Sequence, residues 1–88
     1  MKWLSVLSHG LYSDTRTTLV GLFDTEQEAL QRAKDLRDVI IALAKLYDDS
    51  LDYKIQDQIE ALVGYECYSM REKEYRCSAA KCEFPLTL

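Results

Sequence analysis

The hydrophobic pattern of this chain has a period of two near both ends and of about 3.6 in the middle, the signatures of strands and helices respectively. Residues 3–8 alternate, with Leu4 and Val6 on one side and Trp3, Ser5 and Leu7 on the other, which predicts a strand. His9 to Arg16 breaks the alternation with Gly10, Ser13 and Asp14 and reads as an eight-residue loop. From Thr17 to Phe23 the chain is β-branched and apolar, with Leu19, Gly21 and Phe23 on one face and Thr18, Val20 and Leu22 on the other. The two segments predict an antiparallel pair. Its loop is longer than a tight turn requires, which marks the loop as a functional candidate.

Asp24-Thr25-Glu26-Gln27-Glu28 carries two overlapping capping-box spacings, Asp24 with Gln27 and Thr25 with Glu28. Ala29, Ala33, Leu36, Ile40, Leu43 and Tyr47 then recur at steps of three and four, predicting a helix from about 25 to 48. Its second half, Val39 to Leu46, is apolar around most of its circumference and calls for a cover besides the sheet. Residues 51–63 supply one, with Leu51, Ile55, Ile59 and Leu62 as a second stripe, capped by Asp49 or Ser50 and ended by Gly64. A second subunit is the other cover, which would make a homodimer through Val39–Leu46.

Tyr65 to Arg71 alternates again and predicts a third strand; Glu72-Lys73-Glu74 is turn-like, and Tyr75 to Ser78 is an extra edge strand. From Ala79 to Leu88 the period is lost, and Pro85 keeps that stretch out of a central strand, so it reads as an irregular tail. The fold class is α+β in a single domain. A small antiparallel sheet, in the order β-β-α-α-β with an extra edge strand, packs against a long helix.

Charge is uneven along the chain. Residues 24–60 hold ten acids against five bases, while the segments on either side are close to neutral. An acidic helical middle suits a protein partner with a basic surface and disfavours direct nucleic-acid binding. No apolar run reaches the ~18–20 residues of a membrane helix, and the apolar start is too short for a signal peptide. The expected location is therefore the cytoplasm, where Cys67, Cys77 and Cys82 are reduced thiols.

The chemistry-bearing residues form no recognisable catalytic set, and the chain is read as a non-enzyme with no cofactor. Cys77-x4-Cys82, with Cys67 or His9, offers a loose zinc spacing but lacks paired Cys-x-x-Cys knuckles, so small thiols without metal are the expectation. A Cys67–His9 dyad would need a base and an electropositive setting that the spacing does not supply. Two groups remain as partner-binding candidates. Tyr12, Asp14 and Arg16 stand in the predicted loop, where an aromatic anchor and a planar cation suit a binding hot spot, although Ser13 and Asp14 equally suit a turn that bonds its own backbone. Asp48, Asp49, Asp52 and Asp57 cluster where the two helices meet, as a contact set, as caps or as a solvated face.

Gly10-Leu11-Tyr12-Ser13-Asp14, Val20-Gly21-Leu22-Phe23-Asp24-Thr25 and Glu28-Ala29 together give a resemblance. Over residues 3–36 the chain resembles small phage and mobile-element proteins, without an assigned activity, that combine a Gly-x-Tyr-Ser-Asp loop with a Gly-Val-Phe-Ser-Thr strand end. It departs from them in Thr15-Arg16, where an aromatic is common, in its second helix and in its cysteine-bearing end. In size and acidity it is also similar in style to anti-CRISPR and other anti-defence inhibitors. The resemblance implies an accessory protein that binds and inhibits a host protein. The alternative expectation is a small-ligand or nucleotide-sensing domain using the His9–Arg16 loop.

Overall fold

The computed structural model describes residues 2–11, 14–63 and 70–82. Strand β1 (Lys2–Leu11) and strand β2 (Asp14–Phe23) form an antiparallel hairpin, followed by helix α1 (Glu26–Ser50) and helix α2 (Tyr53–Val63). A 3-10 turn (Glu72–Glu74) then leads into strand β3 (Tyr75–Cys82). The sheet order is β2-β1-β3, antiparallel throughout, and the long helix lies on one of its faces. The α+β architecture expected from the pattern is the observed one.

Several details differ from expectation. The eight-residue loop does not form: β1 continues to Leu11 and β2 begins at Asp14, with His9 registered against Arg16 and Gly10 against Thr15. Only Tyr12 and Ser13, outside the described residues, lie between the strands. The local turn formers are overridden by continued ladder pairing, which satisfies the backbone groups of both strands. Of the strand expected at 65–71, residues 65–69 lie outside the described residues, and Met70 and Arg71 are not in a strand. The expected edge strand is real and twice as long as read. It runs through Cys82 beside β1, so the first four residues of the expected irregular tail are strand.

The sheet buries its Ser5, Leu7 and His9 face, while Leu4 and Val6 point away from the helix. Small residues explain this choice. Ser5 is registered between Gly21 and Ala79, and Ala29 of α1 is fully buried above that row, with its carbonyl accepting a 2.5 Å hydrogen bond from Ser5 Oγ. Ala33, one turn on, is also fully buried. Small side chains on both surfaces let helix and sheet approach closely at this end. Larger ones fill the other end, where Leu7, Ile40, Ala44, Ile59, Val63 and Tyr75 form the core with Val20, Leu36, Ile41, Leu43 and Cys77 around it. A bulge between Ser5 and Val6 shifts the register of β2, so that Leu19 lies opposite Val6 and Leu22 opposite Leu4. Leu19 therefore sits on the outer face with Leu22, away from Gly21 and Phe23.

Thr25 caps α1, its side chain accepting from the Glu28 amide at 3.1 Å, as one of the two capping spacings requires. Lys2 is ion-paired with Asp24 just before the cap, and this lysine holds the Asp24 carboxyl below its usual range. At the far end Leu51 adopts a left-handed conformation (φ 55°), and its amide bonds the Tyr47 carbonyl at 2.7 Å. This breaks the helical run into two. The cap of α2 is Asp52, whose Oδ1 accepts from the Lys54 amide at 3.0 Å; Asp49 and Ser50 are still within α1. Helix α2 is anchored by Ile59 and Val63, while Leu51 and Leu62 of its expected stripe are exposed.

Candidate functional site

Helix α1 sets out from the end of β2 and runs back toward the hairpin connection. Ala29 sits at the level of Ser5, and Arg37 reaches Cys77, the strand partner of Leu7. Its last buried residue is Ala44; beyond it, Lys45, Leu46, Asp48, Asp49 and Ser50 are exposed and Tyr47 is half-buried. The end of α1 and the start of α2 therefore lie at the same end of the molecule as the β1–β2 connection. That placement puts Arg16 toward the same end of the molecule as the acidic residues of the α1–α2 corner.

At this end Asp48, Asp49, Asp52 and Asp57 are all exposed, with Lys45 and Lys54 as the neighbouring bases in the chain. Between the carboxylates stand two large exposed side chains, Leu51 at 67% and Tyr53 at 72% exposure, and Tyr53 packs obliquely on Tyr47 with ring centroids 6.2 Å apart. Leu51 is outside because its left-handed backbone turns the chain at that point. Arg16 is exposed on β2 opposite His9. Asp14 is registered against Leu11 at the start of β2, and Tyr12 lies outside the described residues. Asp52 is also the cap of α2. Leu51 and Tyr53 were not singled out as contact residues in the sequence, where Leu51 reads as part of a buried stripe and Tyr53 as one tyrosine among six.

His9, expected at the end of a loop, is instead in the core. It is 1% exposed and stacked on Tyr75 with centroids 4.6 Å apart, and its Nε2 lies 4.0 Å from the Glu74 carboxylate. Burial pushes the His9 pKa down, and Glu74 opposes that shift. With His9 internal and the surrounding segment in strands, the loop expected to receive a small ligand is reduced to the short hairpin connection and its flanks.

Cys67, and with it the Cys67–His9 pairing, lies outside the described residues, and the other two cysteines separate. Cys77 is registered against Leu7 on the helix-covered face and Cys82 against Lys2 on the opposite face, so these two do not converge on one ion. Among the described residues no group of three His, Cys, Asp or Glu side chains is arranged to hold a metal. Burial raises the Cys77 thiol pKa, against the pull of Arg37, whose Nη1 is 4.0 Å from the sulfur. Arg37 itself ties α1 to the 3-10 turn: it pairs with Asp38 at 3.1 Å and with Glu72 at 3.3 Å. These contacts describe a structural clasp.

A second surface is the outer face of the sheet. The rows Leu22–Leu4–Ala80 and Leu19–Val6–Ser78 cross it, with Leu19 66% exposed and Leu22 42% exposed. On α1, Val39, Ala42 and Leu46 are exposed as well, but interspersed with Asp35, Asp38, Lys45 and Asp49. None of the described helices is long and apolar enough to cross a membrane. Compared with protein-family models, with curated proteins and with solved structures, the chain matches none of them.

Proposed function

We propose that the chain is a small non-catalytic protein-binding module whose contact surface is the acidic end formed by the α1–α2 corner and the adjoining hairpin. The observation that carries this reading is the pairing of exposed Leu51 and Tyr53 with Asp48, Asp49, Asp52 and Asp57 around them. Interfaces combine buried apolar and aromatic anchors with a polar rim, and a rim of one charge selects a partner of the other. The partner is then a protein with a basic rim around an apolar depression. Tyr12, Asp14 and Arg16 from the hairpin extend the contact set. The resemblance in the first half of the chain adds a setting, a phage or mobile-element accessory protein that binds and inhibits a host protein in the cytoplasm, with anti-defence inhibition as the style of action.

The test is an affinity capture from a bacterial lysate with the tagged chain and two variants, read by quantitative mass spectrometry. One variant changes Asp48, Asp49, Asp52 and Asp57 to Asn, which keeps the cap of α2 because Asn caps as well as Asp. The other is Tyr53→Ala with Leu51→Gly. A stoichiometric protein partner lost by both variants supports the reading. A partner retained by both places the contact elsewhere.

A further inference from the structure

The only histidine of the sequence stands where the sheet ends. His9 and Tyr75 form the last rung of the β1–β3 ladder, both are buried, and their rings stack; immediately before Tyr75 the chain is still in the 3-10 turn. That turn is tied down from two sides. Arg37 of α1 lies 3.3 Å from Glu72, whose side chain is 71% exposed, and His9 of β1 lies 4.0 Å from Glu74, whose side chain is 13% exposed. The permanent cation therefore meets the carboxylate that is in water. The buried carboxylate meets a group whose charge depends on pH near neutrality.

We propose that His9 is a proton-operated latch: when its imidazole takes up a proton, the 3-10 turn and the first rungs of β3 leave the sheet while the rest of the fold holds. The surroundings set the direction. A neutral imidazole suits the stack on Tyr75 and the apolar Ile40, Ala44, Ile59 and Val63 that the two helices bring to the same core. A protonated one is a cation in that setting. Glu74 offsets part of this cost, whereas Arg16, exposed and registered opposite His9 on β2, sets a like charge across the strand pair. Among the described residues the other half-buried titratable groups of the packed elements are Cys77 on β3, with Arg37 of α1 at its sulfur, Tyr47 on α1 and Glu60 on α2. Burial outweighs Glu74, and the His9 pKa is lowered.

Release is local because the rung is terminal. The far part of the same ladder, Ser5 with Ala79 and Leu4 with Ala80, stays under α1, where Ser5 bonds the Ala29 carbonyl, and the β1–β2 pairing does not involve Tyr75. A ladder end opens at lower cost than the core behind it. Opening hydrates His9, and a hydrated imidazole holds its proton at the ordinary value of ~6.5. The closed form binds that proton less tightly than the open one, so acid below that value favours the open form. The latch does not depend on the contact surface proposed above.

The experiment is native amide hydrogen exchange between about pH 7.5 and pH 5, read residue by residue by NMR as protection relative to the unstructured chain, with the single imidazole titrated in the same samples. In the wild-type chain the protection of Tyr75 to Ser78 is expected to fall below about pH 6.5, by up to about tenfold per pH unit for one proton, while the amides of α1 and β2 keep theirs. His9→Phe, which keeps the stack and takes up no proton, is expected to hold that protection across the range. Glu74→Gln, which removes the compensating anion, is expected to show a fall at least as large as the wild type. Unchanged protection at Tyr75 to Ser78 in the wild type overturns the proposal. So does a simultaneous loss in α1 and β2, which is general acid unfolding, and so does the same fall in His9→Phe. If His9→Phe does not fold, the wild type and Glu74→Gln decide: a smaller fall in Glu74→Gln shows that Glu74, and not His9, drives the release.

Discussion

Helix α2 is held to the rest of the protein through few side chains, and that makes its attachment measurable. Ile59 is fully buried, whereas Leu62, one turn away, is 44% exposed. Ile59→Ala removes three carbons from the core. At ~0.8 kcal/mol per buried methylene this loses about 2.4 kcal/mol of transfer free energy. The cavity left behind raises the expected cost to about 3–4 kcal/mol, within the range for such truncations. Leu62→Ala removes the same number of carbons from a half-solvated site and is expected to cost about 1 kcal/mol or less. A domain of this size has a total stability of roughly 4–13 kcal/mol, so the first variant loses a large fraction of it. The assay is urea denaturation followed by far-ultraviolet circular dichroism, with hydrogen exchange on the same samples. If α2 undocks alone in Ile59→Ala, its amides lose protection while those of β1 keep theirs, and the unfolding slope falls. Equal costs for the two variants would refute the reasoning, because they would show that burial of Ile59 is not what holds α2.

Further outcomes follow from other contacts. His9 has its pKa lowered by burial, so the unfolded chain binds its proton more readily; stability is then full above the ordinary histidine value of ~6.5 and falls as the pH drops below it, by at most about 1.4 kcal/mol per pH unit. Thermal melts of His9→Phe, which can retain the stack on Tyr75, should show a flatter dependence between about pH 7 and pH 5.5; an unchanged slope would assign the effect to other groups. Leu51→Gly relieves the left-handed backbone at a side chain that packs little, and is expected to raise stability by up to about 1 kcal/mol in the same urea assay, net of the added freedom of the unfolded chain. Cys77, with its thiol pKa raised by burial, should alkylate more slowly in the native protein than in urea when followed by mass spectrometry near pH 8. Ser5→Leu should destabilise by about 1–3 kcal/mol or more by forcing α1 away from the small-residue row, whereas Ser5→Ala should cost about 1 kcal/mol for the lost bond to Ala29.

What could be read from the chain alone was what depends on near neighbours. The start of α1 at Thr25 was legible because capping chemistry acts over three residues, and its length because the apolar period is local. The exposure of Asp48, Asp49, Asp52 and Asp57 was legible because carboxylates on a helix surface or at a cap stay in water. Tertiary contact decided the rest. The hydrophobic pattern of β1 does not say that the less apolar face, with Ser5 and His9, goes inside; that follows from Ala29 and Ala33 needing small residues beneath them. The bulge that sends Leu19 outward, the strand pairing that replaces the expected loop and the extension of β3 to Cys82 are properties of pairing between distant segments. A backbone group bonds whichever partner the fold presents, and propensity yields to it. The acidic cluster came from the sequence, but the exposure of Leu51 and Tyr53 among those carboxylates arises only where the chain breaks from α1 into α2.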